Sequence, residues 1–219
     1  MSILHKTTLT PAKLELLTSW LPGRSWYLGG TAPQLTKAGG FRLDDPDGEV
    51  GLEFMAVTDG SGDEPITYHV PLSYRGAPLA DAGDALIGTA EHGILGSRWI
   101  YDGTRDPVLI SQTFALLLGD AEPQAQSISD TADPSVTRAV TGNIGMLPVS
   151  IAEVTEGPRS TDITMRPTGA RGPVMLRMNR VLRANVPGLM AGTLGHVSAE
   201  WADARTVRSR GRFIVLRVP

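Results

Sequence analysis

Gly39-Gly-Phe-Arg-Leu43, Asp44-Asp-Pro-Asp-Gly48, Val50-Gly-Leu-Glu-Phe-Met-Ala-Val-Thr58, Asp59-Gly-Ser-Gly-Asp63 and Ile66-Thr-Tyr-His-Val-Pro71 follow one another along the chain, and their reading decides the fold. Three apolar runs of strand length are separated by two clusters of Asp, Pro, Gly and Ser, the residues that favour tight reversals. Two hairpins in succession predict an antiparallel meander. Gly93–Tyr101 reads as a further strand with Trp99 and Tyr101 on one face. A helix is predicted on each side. In the first, over Pro11–Trp20, Thr10 serves as cap, Pro11 takes the first position, and Leu14, Leu17 and Leu21 recur at helical spacing. The second starts at Asp106-Pro107 and runs to Leu118, with Val108, Phe114, Leu117 and Leu118 as its apolar stripe.

Composition changes after Gly119. Residues 120–134 hold Pro123, Pro134, four acidic residues and little to bury, which is the composition of a linker. Beyond them come six short apolar runs: Val136–Val140, Met146–Val154, Thr161–Arg166, Val174–Met178, His196–Trp201 and Phe213–Val218. Such runs, punctuated by Gly and Pro, predict strands. Val174–Arg183 is open to a second reading, because Arg177, Arg180 and Arg183 also fall at helical spacing. The expected fold class is therefore α+β. Residues 1–119 would form an antiparallel sheet with packed helices, 120–134 a linker, and 135–219 a β-rich module.

At 219 residues, 41% hydrophobic and 20% charged, the chain has the composition of a globular protein with a core of its own. It has no cysteine, which excludes disulfides, thiolate zinc sites and cysteine nucleophiles. No apolar segment reaches membrane-spanning length and Met1–Lys6 lacks a signal-peptide core, so a cytoplasmic protein is expected. The net charge of −3 conceals a polarity. Through Asp130 there are 8 Lys/Arg against 17 Asp/Glu, and from Thr131 onward 12 against 6. Two faces that meet each other would produce this skew, as would a solvated surface. If they meet, Arg166, Arg177, Arg180 or the Arg208–Arg212 row should contact carboxylates of the first part.

Few residues form a chemical constellation. His5, His69, His92 and His196 are scattered, without metal-ligand spacing, and no metal or other cofactor is expected. Asp44–Glu49 reads as a hairpin turn, lacking the ligand alternation of a calcium loop. Thr168-Gly-Ala-Arg-Gly172 reads as a hairpin turn rather than a phosphate cradle, and no Walker run or Gly-x-Ser-x-Gly elbow is present. Negative overall charge and few aromatics beside the arginines argue against nucleic acid as a partner. Trp20, Trp26, Tyr27, Tyr74, Trp99 and Tyr101 belong to a chain only 5% aromatic. Core packing accounts for most of them. Tyr74-Arg75 and Tyr101-Asp102 place a charge beside a tyrosine near a strand end, and with Trp26 they are the candidate ligand-binding residues. An aromatic face there could stack on a pyranose while polar neighbours bind its hydroxyls.

Three signatures carry a family resemblance: Trp20-Leu-Pro-Gly-Arg-Ser-Trp26-Tyr27, Tyr68-His-Val-Pro-Leu-Ser-Tyr-Arg75-Gly76 and Ile100-Tyr101-Asp102-Gly-Thr-Arg-Asp106-Pro107. Their order and spacing resemble the N-terminal cap domain of actinobacterial maltokinases and related aminosugar kinases, over about Leu14–Gly119. In those kinases the cap sits beside the ATP-binding lobe and is not itself catalytic, so the resemblance assigns no catalytic residue here. Pro173–Leu182 is faintly similar to the kinase strand that supplies a phosphate-binding lysine, with Arg177 at the matching position. Arginine is a poor substitute for a compact ammonium between phosphates, and with 42 residues following Arg177 in the sequence no catalytic lobe is expected here.

Two functional readings follow. One is a non-catalytic cap-like interaction module, working with a protein partner of trehalose, maltose or glycogen metabolism or with a second copy. The other is a sugar or sugar-phosphate binder using Tyr74, Arg75, Tyr101, Asp102 and Trp26. An enzyme that leaves no motif is a third. Neither nucleic acid nor membrane is expected as a partner. A deep pocket lined by the tyrosines and their charged neighbours would favour the binder, and a flat apolar patch the interaction module.

Overall fold

The computed structural model describes residues 9–128, 130–141, 149–167, 172–184, 188–189, 191–202 and 207–219. The meander forms as the turn chemistry predicts. Strands β2 (Leu35–Leu43), β3 (Gly51–Asp59) and β4 (Ile66–Arg75) are antiparallel neighbours. The short β1 (Leu9–Thr10) pairs with β5 (Leu86–His92), β5 with β6 (Gly96–Asp102), and β6 with the far end of β4. Helix α1 spans Lys13–Trp20 and α2 spans Pro107–Leu118. Asp106 caps α2 by accepting from the Val108 amide, and Gly119 closes it in the left-handed conformation, φ 93°. The first helix begins two residues later than predicted. Thr10 belongs to β1, and the Glu15 carboxylate accepts from the amide of Ala12, which stands at the cap position.

Residues Gln124–Ala125 form β7 against β2. The apolar runs of the second half are strands β8 (Thr137–Val140), β9 (Val149–Glu156), β10 (Ser160–Pro167), β11 (Val174–Asn179), β12 (Thr193–Ala202) and β13 (Arg208–Arg217). Val174, Leu176 and Met178 are buried with half-exposed residues between them, so strand periodicity prevails over the arginine spacing. Residues 146–148 of one predicted run, most of the Thr168–Gly172 turn and Met1–Lys6 lie outside the described residues.

The expected α+β class with packed helices is corrected by this architecture. Two helices of 8 and 12 residues stand against thirteen antiparallel strands among the described residues, and the fold is β-rich. The helices were legible because they carry strong boundary signals, but they are too short to form a layer of their own. Eleven of the strands instead make one hydrogen-bonded path, with β7 and β8 beside it, and the middle of that path closes on itself. In order, β4, β3, β2, β12, β13 and β11 are neighbours, with Trp201 opposite Gly39 where β12 meets β2. Directly after β11, the chain returns to β4. The His69 amide donates to the Arg180 carbonyl at 2.8 Å and the Leu182 amide to the Thr67 carbonyl at 2.9 Å, with Tyr68 opposite Val181. A closed ring leaves its member strands without free edges at these positions.

Aromatic side chains fill the ring. Phe41 stacks on Phe54 at 4.6 Å between centroids, His69 lies 4.7 Å from Phe213, and Trp201 meets Phe213 edge-on. On the other face of β3 and β4, α1 lays Leu17 and Trp20 over Met55, Val57, Tyr68 and Val70. Helix α2 packs Leu109, Ile110, Phe114 and Leu117 into the same core as Phe41 and Phe213. Among the described residues no helix is long and apolar enough to cross a membrane.

Candidate functional site

Four of the five residues predicted to bind a ligand, Tyr74, Arg75, Tyr101 and Asp102, lie at one end of β4 and β6, because these strands pair Tyr74 with Ile100 and Ser73 with Tyr101. Each then turns to a different internal partner. The Tyr74 hydroxyl donates to the Glu53 carboxylate at 2.5 Å. Glu53, on β3, also accepts from Lys13 Nζ at 2.7 Å and from Gln126 Nε2 at 2.7 Å. Burial opposes ionisation of Glu53, but the Lys13 charge and the three donors outweigh it and hold its carboxyl below the usual glutamate range. The same burial and the adjacent carboxylate push the Tyr74 hydroxyl well above its ordinary value.

Arg75 forms a two-pronged ion pair with Asp106, both bonds at 2.7 Å. Asp106 is fully buried and also caps α2, so one carboxylate fixes a strand end and a helix start together. Burial raises its pKa, but the Arg75 guanidinium and the other donors more than reverse this and hold it below the ordinary value. The Tyr101 hydroxyl accepts from the Leu79 amide at 2.9 Å and its ring is buried.

Asp102 accepts from the Thr104 amide and hydroxyl, and from Arg180. Arg180 is wholly buried, donates to Thr161 Oγ1 at 2.8 Å, and stacks its guanidinium 4.6 Å from the centre of the Trp26 ring. Trp26, also wholly buried, lies between Trp20 and Tyr68. Arg180, one of the arginines expected to meet a carboxylate of the first part, thus ties the end of β6, β10 and the first tryptophan cluster to the ring closure. The charge polarity of the sequence pointed to Arg180, though not to Asp102 in particular.

The expected contacts between basic and acidic parts are met by Arg180 alone among the described ion pairs of that set. Arg177 lies directly opposite Asp162 across β11 and β10 and forms both bonds at 2.7 Å, while Arg208 and Arg210 face Glu200 on the neighbouring strand. Reverse traffic also occurs, since Arg24 and Ser25 reach Glu156.

Two recesses among the described residues lie elsewhere. One, of about 360 Å³, opens between residues 28–32 and 59–66 and is lined by Leu28, Thr31, Ser61, Glu64 and Ile66, with Asp59 at its base. Asp59 is spent internally, accepting from Tyr27 Oη at 2.5 Å and from the Gln34 and Ser61 amides at 2.9 Å. Another, of about 320 Å³, lies at the C-terminus of α2, where Arg138 donates to the Leu117 carbonyl. No group of His, Asp or Glu among the described residues is arranged to hold a metal.

No curated protein matches this chain. The maltokinase N-terminal cap domain family does, over residues 20–106. The matched stretch runs from Trp20, at the end of α1, to Asp106, the cap of α2, and takes in β2 to β6. It includes Trp26, Tyr74, Arg75, Tyr101 and Asp102. Residues 20–106 of this chain are therefore similar to a cap domain of the maltokinase N-terminal type.

Proposed function

We propose that the chain is a non-catalytic cap module that works by associating with an enzyme of maltose, trehalose or glycogen metabolism. One observation carries this reading: Tyr74, Arg75, Tyr101 and Asp102 all spend their polar groups on Glu53, Asp106, the Leu79 amide, Thr104 and Arg180. Side chains committed in this way brace strand ends. They are poorly placed to exchange partners with a sugar, because each exchange would strand a buried group. The cap-family match over residues 20–106 supports the association with sugar phosphorylation.

Two titrations test the proposal. The purified chain, given Mg-ATP with maltose, glucose or glucosamine, should release no ADP beyond a mock preparation. Mixed with a purified maltose-phosphorylating kinase from the same cells, it should co-migrate in size-exclusion chromatography. Sugar-dependent ADP release overturns the non-catalytic reading. A second reading, a sugar binder, is favoured by the recess of about 360 Å³, whose apolar Leu28 and Ile66 and polar Thr31, Ser61 and Glu64 suit a small polyol. Heat on titrating maltose or glucose 1-phosphate, abolished by Ser61→Trp, would select it.

A further inference from the structure

The described residues 124–128 and 130–132 form a small hairpin whose first strand, β7, pairs alongside β2. Its backbone is joined by the Ala125 amide donating to the Thr131 carbonyl and by a bridge between Gln124 and Ala132. Cations hold it down. Arg42, nearly buried, donates to the carbonyls of Ala125 and Ile128, both at 3.2 Å, and so straddles the intervening turn. Within that turn the exposed Ser127 accepts from Lys37 Nζ at 3.2 Å. Gln126 reaches down to Glu53, and Lys13 meets the same carboxylate. The cluster therefore sets three cations, Lys13, Lys37 and Arg42, against one carboxylate. Burial lowers the Lys37 pKa, and the Glu53 charge, which outweighs the repulsion from Lys13, only partly opposes this.

We propose that Ser127 is a phosphate-acceptor site, and that its phosphorylation locks the 124–132 hairpin onto β2 through Lys37 and the adjoining Arg42. A phosphoserine dianion carries roughly −1.5 to −2 charge, which cancels the surplus of the cluster. The hydroxyl oxygen of Ser127 attacks the γ-phosphorus of a nucleoside triphosphate held by a protein serine kinase. An O–P bond forms, the bond to the β–γ bridging oxygen breaks, and the nucleoside diphosphate leaves with that electron pair. The hydroxyl proton passes to the kinase's base. Access is open, since Ser127 and Ile128 are both exposed. The new oxygens replace one neutral hydroxyl contact to Lys37 with charge-assisted bonds. The inference concerns regulation and stands apart from the association proposed above.

The test uses the full chain with phosphoserine installed at position 127 by codon reassignment. Amide exchange of the peptides covering 120–134 should slow by about five- to tenfold against the unmodified chain. Lys37 is exposed, so Lys37→Met folds, and it should erase most of the slowing. Unchanged or faster exchange on phosphorylation, or equal slowing in Lys37→Met, overturns the proposal. So does a 106–138 peptide from native cells, sampled in growth and starvation, that never carries the added phosphate at Ser127.

Discussion

Replacing Arg180 with methionine removes the one guanidinium that joins β6, β10, Trp26 and the closure of the strand ring. Methionine keeps much of the side-chain length and apolar volume, so the loss is chiefly electrostatic. Asp102 is 4% exposed and would keep only its two bonds from Thr104. Breaking a buried ion pair from one side costs about 3–5 kcal/mol, because a desolvated charge is left behind. Losing the stack on Trp26 adds about 2 kcal/mol at such a desolvated site. With about 2–4 °C per kcal/mol for a chain of this size, the midpoint should fall by roughly 10–28 °C. Urea unfolding followed by tryptophan fluorescence reads the change directly, since Trp26 lies against the substituted group. Asp102→Asn combined with Arg180→Met should recover part of the loss, because neither charge is then stranded. An Arg180→Met protein within about 1 kcal/mol of the parent would refute the reasoning and demote the pair to a surface-like contact.

Other sites give sharp expectations. Gly40 sits at φ 124° and a Cβ there would lie 2.1 Å from the Phe54 carbonyl oxygen, so Gly40→Ala should destabilise by at least about 2 kcal/mol in the same urea assay. His69 is wholly buried and its imidazole is pushed down to about 3, by burial first and the Arg180 charge second. Its folded value lies below its unfolded one, so stability should be full above about pH 6.5 and fall as pH drops from there toward 3. His69→Phe should flatten that part of the stability–pH curve. Glu53 is likewise depressed in the folded state, so its contribution is present above the ordinary value of 4.5 and lost as pH falls below it, and Glu53→Gln should remove that acid limb.

Much of the first part was legible because turn chemistry and capping are local. Asp44–Gly48 and Asp59–Asp63 announced the hairpins, and Asp106-Pro107 with Gly119 bracketed α2. Strand β5 was not read, since only Ala90 of Leu86–His92 is buried and pairing rather than an apolar face places it. Gln124–Ala125 escaped for a similar reason: Arg42 and Glu53 hold this polar segment by hydrogen bonds, which leave no hydrophobic periodicity. The sequence placed a charge beside Tyr74 and Tyr101 and could not say what each would meet. Glu53 lies on β3, Asp106 at a helix cap and Arg180 just past the end of β11. Ring closure through Tyr68 and Val181 is a long-range pairing, invisible to any window of residues.

The central structural claim is that the cap segment's sheet is completed by the C-terminal strands. Native-state hydrogen exchange on the intact chain, resolved to peptides, tests it most directly. Amides of β3 and β4 should open with the same free energy as those of β12 and β13, and Arg180→Met should lower both sets equally, as one cooperative unit requires. Two sets that open with distinct free energies, of which only one responds to the substitution, would contradict the claim.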